Sequence, residues 1–108
     1  MNRHVAEADL VVGIRGEIPN LTAGFGGGAK IVLPGVCGID TISHNHSLQE
    51  IWQGRFGEPS SDWVRVDRNI AREDMEEVAR RIGLDFIVNV VLNAQARICG
   101  AFAGDAVT

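Results

Sequence analysis

Eight of the 13 glycines in this 108-residue chain fall between Gly13 and Gly38. A run so dense excludes a long regular helix or strand across that stretch. Each glycine loses more backbone entropy than other residues on ordering and brings no side chain to pack. Most of that stretch must therefore be loop, with the longer elements outside it. Those segments alternate in type. Ala8 to Ile14 (ADLVVGI) is a short continuous apolar run, as in a strand covered on both faces. Arg15 to Gly28 reads as loop, with Pro19, Asn20 and five glycines from Gly16 to Gly28. Ala29 to Leu33 is short and opens a helix that Pro34 stops.

Ile39 to Trp52 reads as a helix, with Asp40 near its start and Gly54 just past its end, followed by a polar connection from Gly54 to Asp67. The clearest helix comes next. Met75, Val78, Ala79 and Ile82 stand at i, i+3, i+4 and i+7 and share one face. Acidic residues from Glu73 to Glu77 crowd its first turns, Arg80 and Arg81 its last, and Gly83 follows as a stop, an order that complements the helix dipole. Phe86 to Leu92 (FIVNVVL) is a buried strand, Asn93 to Ala96 a turn, and Arg97 to Ala103 a second strand, so the segment forms a hairpin. Strand, loop, helix, helix, strand, strand describes an α/β fold with a mixed sheet.

Composition narrows the function classes. At this length the chain holds one small domain at most. Hydrophobic residues at 45% and charged residues at 22% are ordinary for a soluble globular protein, and a net charge of −4 offers nothing to nucleic acid or an acidic membrane surface. No apolar run approaches the ~20 residues that cross a bilayer. Met1-Asn2-Arg3-His4 leads into a mixed polar stretch that does not read as a signal peptide, so the expected location is cytoplasmic. Cys37 and Cys99 form no CxxC pair, and both are expected to be small buried core residues.

Nine arginines stand against a single lysine, Lys30, inside the glycine cluster. Chance in an arginine-rich composition is the plain explanation. The sharper one is that an amine is needed there, because lysine can lose its proton to its surroundings and arginine cannot. The segment AGFGGGAK (Ala23 to Lys30) lets backbone N–H groups approach an anion or a flat ligand closely. A Walker phosphate loop fails, because Ala29 and Ile31 flank the lysine where Gly and Ser or Thr are required. A dinucleotide fingerprint forced onto Gly24, Gly26 and Ala29 is separated by about ten residues from the strand it should follow directly. What remains is a ligand-cradling loop of no fixed class, or a structural loop that holds nothing.

Ser43-His44-Asn45-His46 is the second feature. On a helix the two histidines are about 200° apart, so at most one points into a given site. His46 falls on the face of Ile39 and Ile42. By spacing alone, a histidine there is a hydrogen-bonded core residue more often than a ligand.

The run AGFGGGAKIVLPGVCGIDTISHNH (Ala23 to His46) closely resembles the signature of the lactate racemase family, in which an AGFSGG-type loop and a lysine lead to a PGV-type turn and an Asn-His ending. The preceding ADLVVGI, Asn69 with Glu73-Asp74-Met75, Asp85 to Asn93 and Ala101 to Asp105 resemble family elements in the same order, so the resemblance covers nearly the whole chain. It implies part of the N-terminal, cofactor-anchoring domain (residues 1–108) of a 2-hydroxyacid racemase or epimerase, an isomerase that uses a nickel pincer nucleotide. The family's tethering lysine matches Lys30, and its glycine loop matches Gly24, Gly26, Gly27 and Gly28. The histidine that ligates nickel matches His46, and imidazole suits that metal. Capture by lysine requires the neutral amine, which a nearby helix N-terminus would favour. In the chemistry the family implies, one histidine takes the substrate hydroxyl proton, the cofactor accepts hydride from the α-carbon, and a second histidine serves the opposite face.

Asn20 occupies the position of one of those catalytic histidines. An amide orients a substrate but is no general base near neutral pH. The second catalytic histidine, the residues that bind the nucleotide phosphate and the substrate-binding carboxy-terminal domain match nothing in these residues. His4 stands in an unmatched context, and His44 has no family role. The resemblance therefore implies a piece of the enzyme, inactive alone, acting on a small 2-hydroxyacid once completed by the remainder of the protein or another chain. A cofactor-binding module without turnover and an inert α/β fragment remain as alternatives. Exposed sheet edges predict self-association.

Overall fold

The computed structural model describes residues 1–106. In chain order the elements are helix α1 (Arg3–Ala6), strands β1 (Val12–Gly16), β2 (Pro19–Asn20) and β3 (Gly24–Phe25), a 3-10 turn (Gly28–Ile31), helices α2 (Ile39–Phe56) and α3 (Ile70–Ile82), and strands β4 (Phe86–Leu92) and β5 (Ile98–Gly104). The α/β class and the mixed sheet hold. β4 is central, parallel to β1 from Val12↔Phe86 to Gly16↔Val90 and antiparallel to β5. Parallel neighbours need a crossover, and here it carries the glycine segment and both long helices. The β4–β5 turn forms where expected. Asn93 Oδ1 accepts from the backbone N–H groups of Gln95 and Arg97, both at 3.0 Å, and Ala96 takes a positive φ of 57°.

α3 begins and ends as its residues dictate. The Asn69 side chain caps it by accepting from the Arg72 N–H at 3.1 Å, and Gly83 closes it in the left-handed conformation. Its apolar face buries Met75 and Ala79 against Ala29, Leu33 and Ile87, which forms the core between α3, the 3-10 turn and one face of the sheet. α2 packs on α3 through Asn45. This residue is fully buried, and its Nδ2 donates to the Ala71 carbonyl at 2.9 Å and the Asp74 carboxylate at 2.8 Å.

Several boundaries and burials differ from the sequence reading. The first strand begins at Val12, four residues after Ala8, and is covered on one face only, with Ile14 74% exposed. Of its residues only Gly13 is buried, and a Cβ there would stand 2.7 Å from the Ile31 side chain. Two short strands, β2 and β3, interrupt the expected loop. The segment before Pro34 makes a 3-10 turn, with a cis Leu33–Pro34 peptide after it.

α2 runs through Gly54 to Phe56. The rings of Trp52 and Phe56, one turn apart, stack with centroids 4.4 Å apart across that glycine, and Gly57 makes the stop, its N–H bonded to the Gln53 carbonyl. Phe86 and Leu92 are exposed, so the FIVNVVL strand is buried on one face. Cys37 is half-buried, and Cys99, expected in the core, is exposed on the edge strand β5, which nothing covers among the described residues; both thiols are free. No described helix is long and apolar enough to cross a membrane.

Candidate functional site

The glycine segment is held by its own carbonyls. Asn20 ends β2 and turns the chain back onto β3, its Oδ1 accepting from the Thr22 and Ala23 N–H groups at 3.1 and 2.9 Å. The carbonyls of that turn then meet donors from α2, from α3 and its cap, and from the segment between the two helices. Thr22 accepts from Gln49 Nε2 of α2 at 2.9 Å and from Asn69 Nδ2 at 2.8 Å. The Arg72 guanidinium of α3 reaches the Ala23 and Phe25 carbonyls at 3.3 and 3.5 Å while its Nε pairs with Glu76 at 2.9 Å. The Val64 N–H bonds the Gly24 carbonyl at 3.2 Å. A loop with few side chains of its own is thus made rigid by donors drawn from distant sequence.

The space beside the glycines is taken by protein. At Gly24, with φ +77°, a Cβ would collide with the Arg65 carbonyl. At Gly27, with φ +71°, it would meet the Glu17 carboxylate and stand 2.7 Å from Asn89 Nδ2. Gly26 lies against Ile18, and Gly28 against the Ala106 carbonyl and Arg72. Close packing therefore accounts for these glycines without a ligand. Glu17 and Asn89 join under the loop. Asn89 Nδ2 donates to Glu17 Oε2 at 2.6 Å, and its Oδ1 lies 3.5 Å from the Gly28 N–H. Burial pushes the Glu17 carboxyl above its ordinary value, and Arg72 and then Arg15 oppose the shift. Sequence reading missed this pair, although one polar residue inside the apolar run FIVNVVL was the available signal for Asn89.

Lys30 lies in the 3-10 turn directly after Gly27-Gly28, its N–H bonded to the Gly27 carbonyl at 3.1 Å. Its side chain is half-buried. Burial first, and the nearby Arg15 guanidinium second, lower the amine from its ordinary value of 10.5. The amine is thus shifted towards the neutral form by desolvation and a neighbouring cation.

His46 is exposed on α2, as is His44. Its imidazole makes no hydrogen bond among the described residues; on the same face Ile39, two turns before it, is 74% exposed, whereas Ile42, one turn before it, packs partly buried against the core. Asn45 takes the buried place on α2. No hydrogen bond or ion pair joins Lys30 to His46. Among the described residues, no group of three or more His, Cys, Asp or Glu side chains is arranged to hold a metal. Two clefts lie elsewhere, one between the end of α3 and Leu84, the other beside Met1 and Cys37, and neither includes Lys30 or His46.

Comparison with known proteins places this arrangement. The family model described as lactate racemase N-terminal domain matches residues 1–56. A lactate racemase of Lactiplantibacillus plantarum is 39% identical over 105 residues, which cover 97% of this chain and 24% of that protein. A lactate racemase of Thermoanaerobacterium thermosaccharolyticum is 35% identical over 104 residues, 96% of this chain and 23% of that protein. The solved structure of the lactate racemase apoprotein from T. thermosaccharolyticum superposes with a TM-score of 0.88 at 33% identity, over 99% of this chain and 24% of that one. The chain thus spans about a quarter of the length of the relatives it matches.

Proposed function

The chain belongs to the lactate racemase family, as a match to its N-terminal domain, and from that premise we propose that it anchors a nickel pincer nucleotide through Lys30 for the racemisation or epimerisation of a small 2-hydroxyacid. The observation that carries this reading is the half-buried amine of the chain's one lysine, shifted towards its neutral form at the end of a rigid glycine loop. A neutral amine is the nucleophile that covalent capture requires. The donor set suits the group. Lys30 supplies the tether, and the exposed His46 imidazole, free of protein hydrogen bonds, supplies one nitrogen ligand to nickel. When bound, the cofactor provides a hydride acceptor for the substrate α-carbon.

The chain's own residues then bind and orient. The clamp of Gln49, Asn69 and Arg72 on the loop carbonyls keeps Lys30 in place. Asn20 Oδ1 is committed to the hairpin, which leaves the Nδ2 group to donate to a substrate oxygen and leaves proton removal to a base outside these residues. The substrate and the remaining site are completed by the rest of a longer protein or by another chain, and the setting is cytoplasmic.

The test is intact-protein mass with nickel content after co-expression with the cofactor's biosynthetic enzymes. A mass increment on Lys30 with bound nickel is expected, lost in Lys30→Ala; in His46→Ala the increment stays and nickel falls. An unmodified, nickel-free parent overturns the reading. The commitment of Asn20 to the hairpin favours a second reading, a cofactor cradle without turnover. It predicts a loaded protein that leaves D- and L-hydroxyacids unchanged.

A further inference from the structure

The sheet face under the glycine loop carries one charged group that makes no hydrogen bond or ion pair among the described residues. Alternate residues of a strand share a face, so Gly13 and Arg15 of β1 lie together with their β4 partners Ile87 and Asn89. That face is identified by its contacts. The Ile31 side chain lies over Gly13, and Asn89 Oδ1 reaches towards the Gly28 N–H. Lys30 stands between Gly28 and Ile31 in the same turn. Arg15 therefore leaves β1 towards the turn that carries Lys30. It is exposed and makes no hydrogen bond or ion pair among the described residues.

We propose that Arg15 is a positioning residue for Lys30, held by β1 on the sheet face that the Lys30 turn covers, where its guanidinium is a second positive charge on the side from which the amine meets its electrophile. This rests on the reading of Lys30 as the tether. The other charged groups around the seam are already engaged. Arg72 of α3 pairs with Glu76 and clamps the Ala23 and Phe25 carbonyls, while Glu17, just beyond β1, accepts from Asn89. Consistent with the placement, burial first and the Arg15 charge second lower the Lys30 amine, and Arg15 acts on Glu17 as well. Two cations held together repel, and loss of the proton from the one that can lose it relieves the repulsion.

The chain has two kinds of primary amine, Lys30 and the N-terminus, so acetic anhydride reports Lys30 directly by mass spectrometry, with the terminal amine as reference. The pH midpoint of Lys30 acetylation is read for the parent, Arg15→Gln, Arg15→Glu and Arg15→Lys. The midpoint should rise in Arg15→Gln, rise further in Arg15→Glu and return in Arg15→Lys, with acetylation near neutral pH slowed severalfold in the first two. Added salt should raise the parent midpoint towards that of Arg15→Gln. Equal midpoints in the parent, Arg15→Gln and Arg15→Glu overturn the inference. Far-ultraviolet circular dichroism of each variant shows whether the fold is kept, and restoration by lysine separates charge from packing. The midpoints decide the role of Arg15 whether or not cofactor mass is found on Lys30, so failure of the tether reading shows separately.

Discussion

Gly27 shows how closely the site is packed. Its φ of +71° disfavours any side chain, and the space a Cβ would need holds the Glu17 carboxylate and Asn89 amide. Gly27→Ala should lower unfolding stability by about 2 kcal/mol in urea titration, and more if the Asn89–Glu17 bond breaks. A variant as stable as the parent would show that the contact yields. Glu17 itself titrates with folding. Its carboxyl is raised in the folded state, so the fold binds that proton more tightly than the unfolded chain does. The stability this contributes is fully present below the ordinary value of 4.5 and is lost as pH rises through the raised value. Glu17→Gln should flatten that part of the stability–pH curve, and an unchanged slope would assign it to another group. The cysteines separate by burial. Cys99 is exposed, whereas burial pushes the Cys37 thiol up, so a maleimide near neutral pH should modify Cys99 well before Cys37.

At the scale of elements, Asn69 links a helix start to the site. Its Oδ1 caps α3, and its Nδ2 donates to the Thr22 and Arg65 carbonyls from a fully buried position. Asn69→Ala removes the cap, strands the Arg65 carbonyl and leaves the Thr22 carbonyl to Gln49 alone, at a cost of about 2 kcal/mol in denaturant midpoint analysis. Asn69→Asp keeps the cap but turns a carboxylate towards those carbonyls, and it should recover little of the loss. Full recovery would mean that the cap alone matters. α3 and the β4–β5 hairpin were legible because their signals are local: an apolar stripe, acidic first turns and a basic last one, a closing glycine, a turn at Asn93. α2 was legible in kind but not in extent. Gly54 read as a stop, whereas the helix runs on to Phe56, with the Trp52 and Phe56 rings packed at a tilt, and Gly57 closes it. Its histidines were visible as a pair, but that Asn45 would take the buried place depended on where α3 sits.

For the molecule as a whole, β1 and β4 are covered on one face and bare on the other, and β5 is largely exposed on both. Val12 and Ile14 of β1 lie on the bare face beside Phe86 and Val88 of β4, and the first three of these are largely exposed. Apolar surface of this kind at a sheet edge promotes association. The chain should self-associate as concentration rises in sedimentation velocity, and Val12→Thr with Ile14→Glu should shift it to monomer with unchanged circular dichroism. A parent that remains monomeric throughout removes the expectation. The order of elements, the α/β class, the lysine singled out by composition and the Asn-His pair were all determined by the sequence, because periodicity, caps and motif spacing act over a few residues. The tertiary structure alone decided that Asn89 and Glu17, 72 positions apart, meet beneath Gly27. It alone put Arg15 on the sheet face that meets the Lys30 turn and left the other face of β1 and β4 bare. Those outcomes follow from the parallel pairing of β1 with β4 and from which face α3 covers, and no short stretch of sequence encodes either.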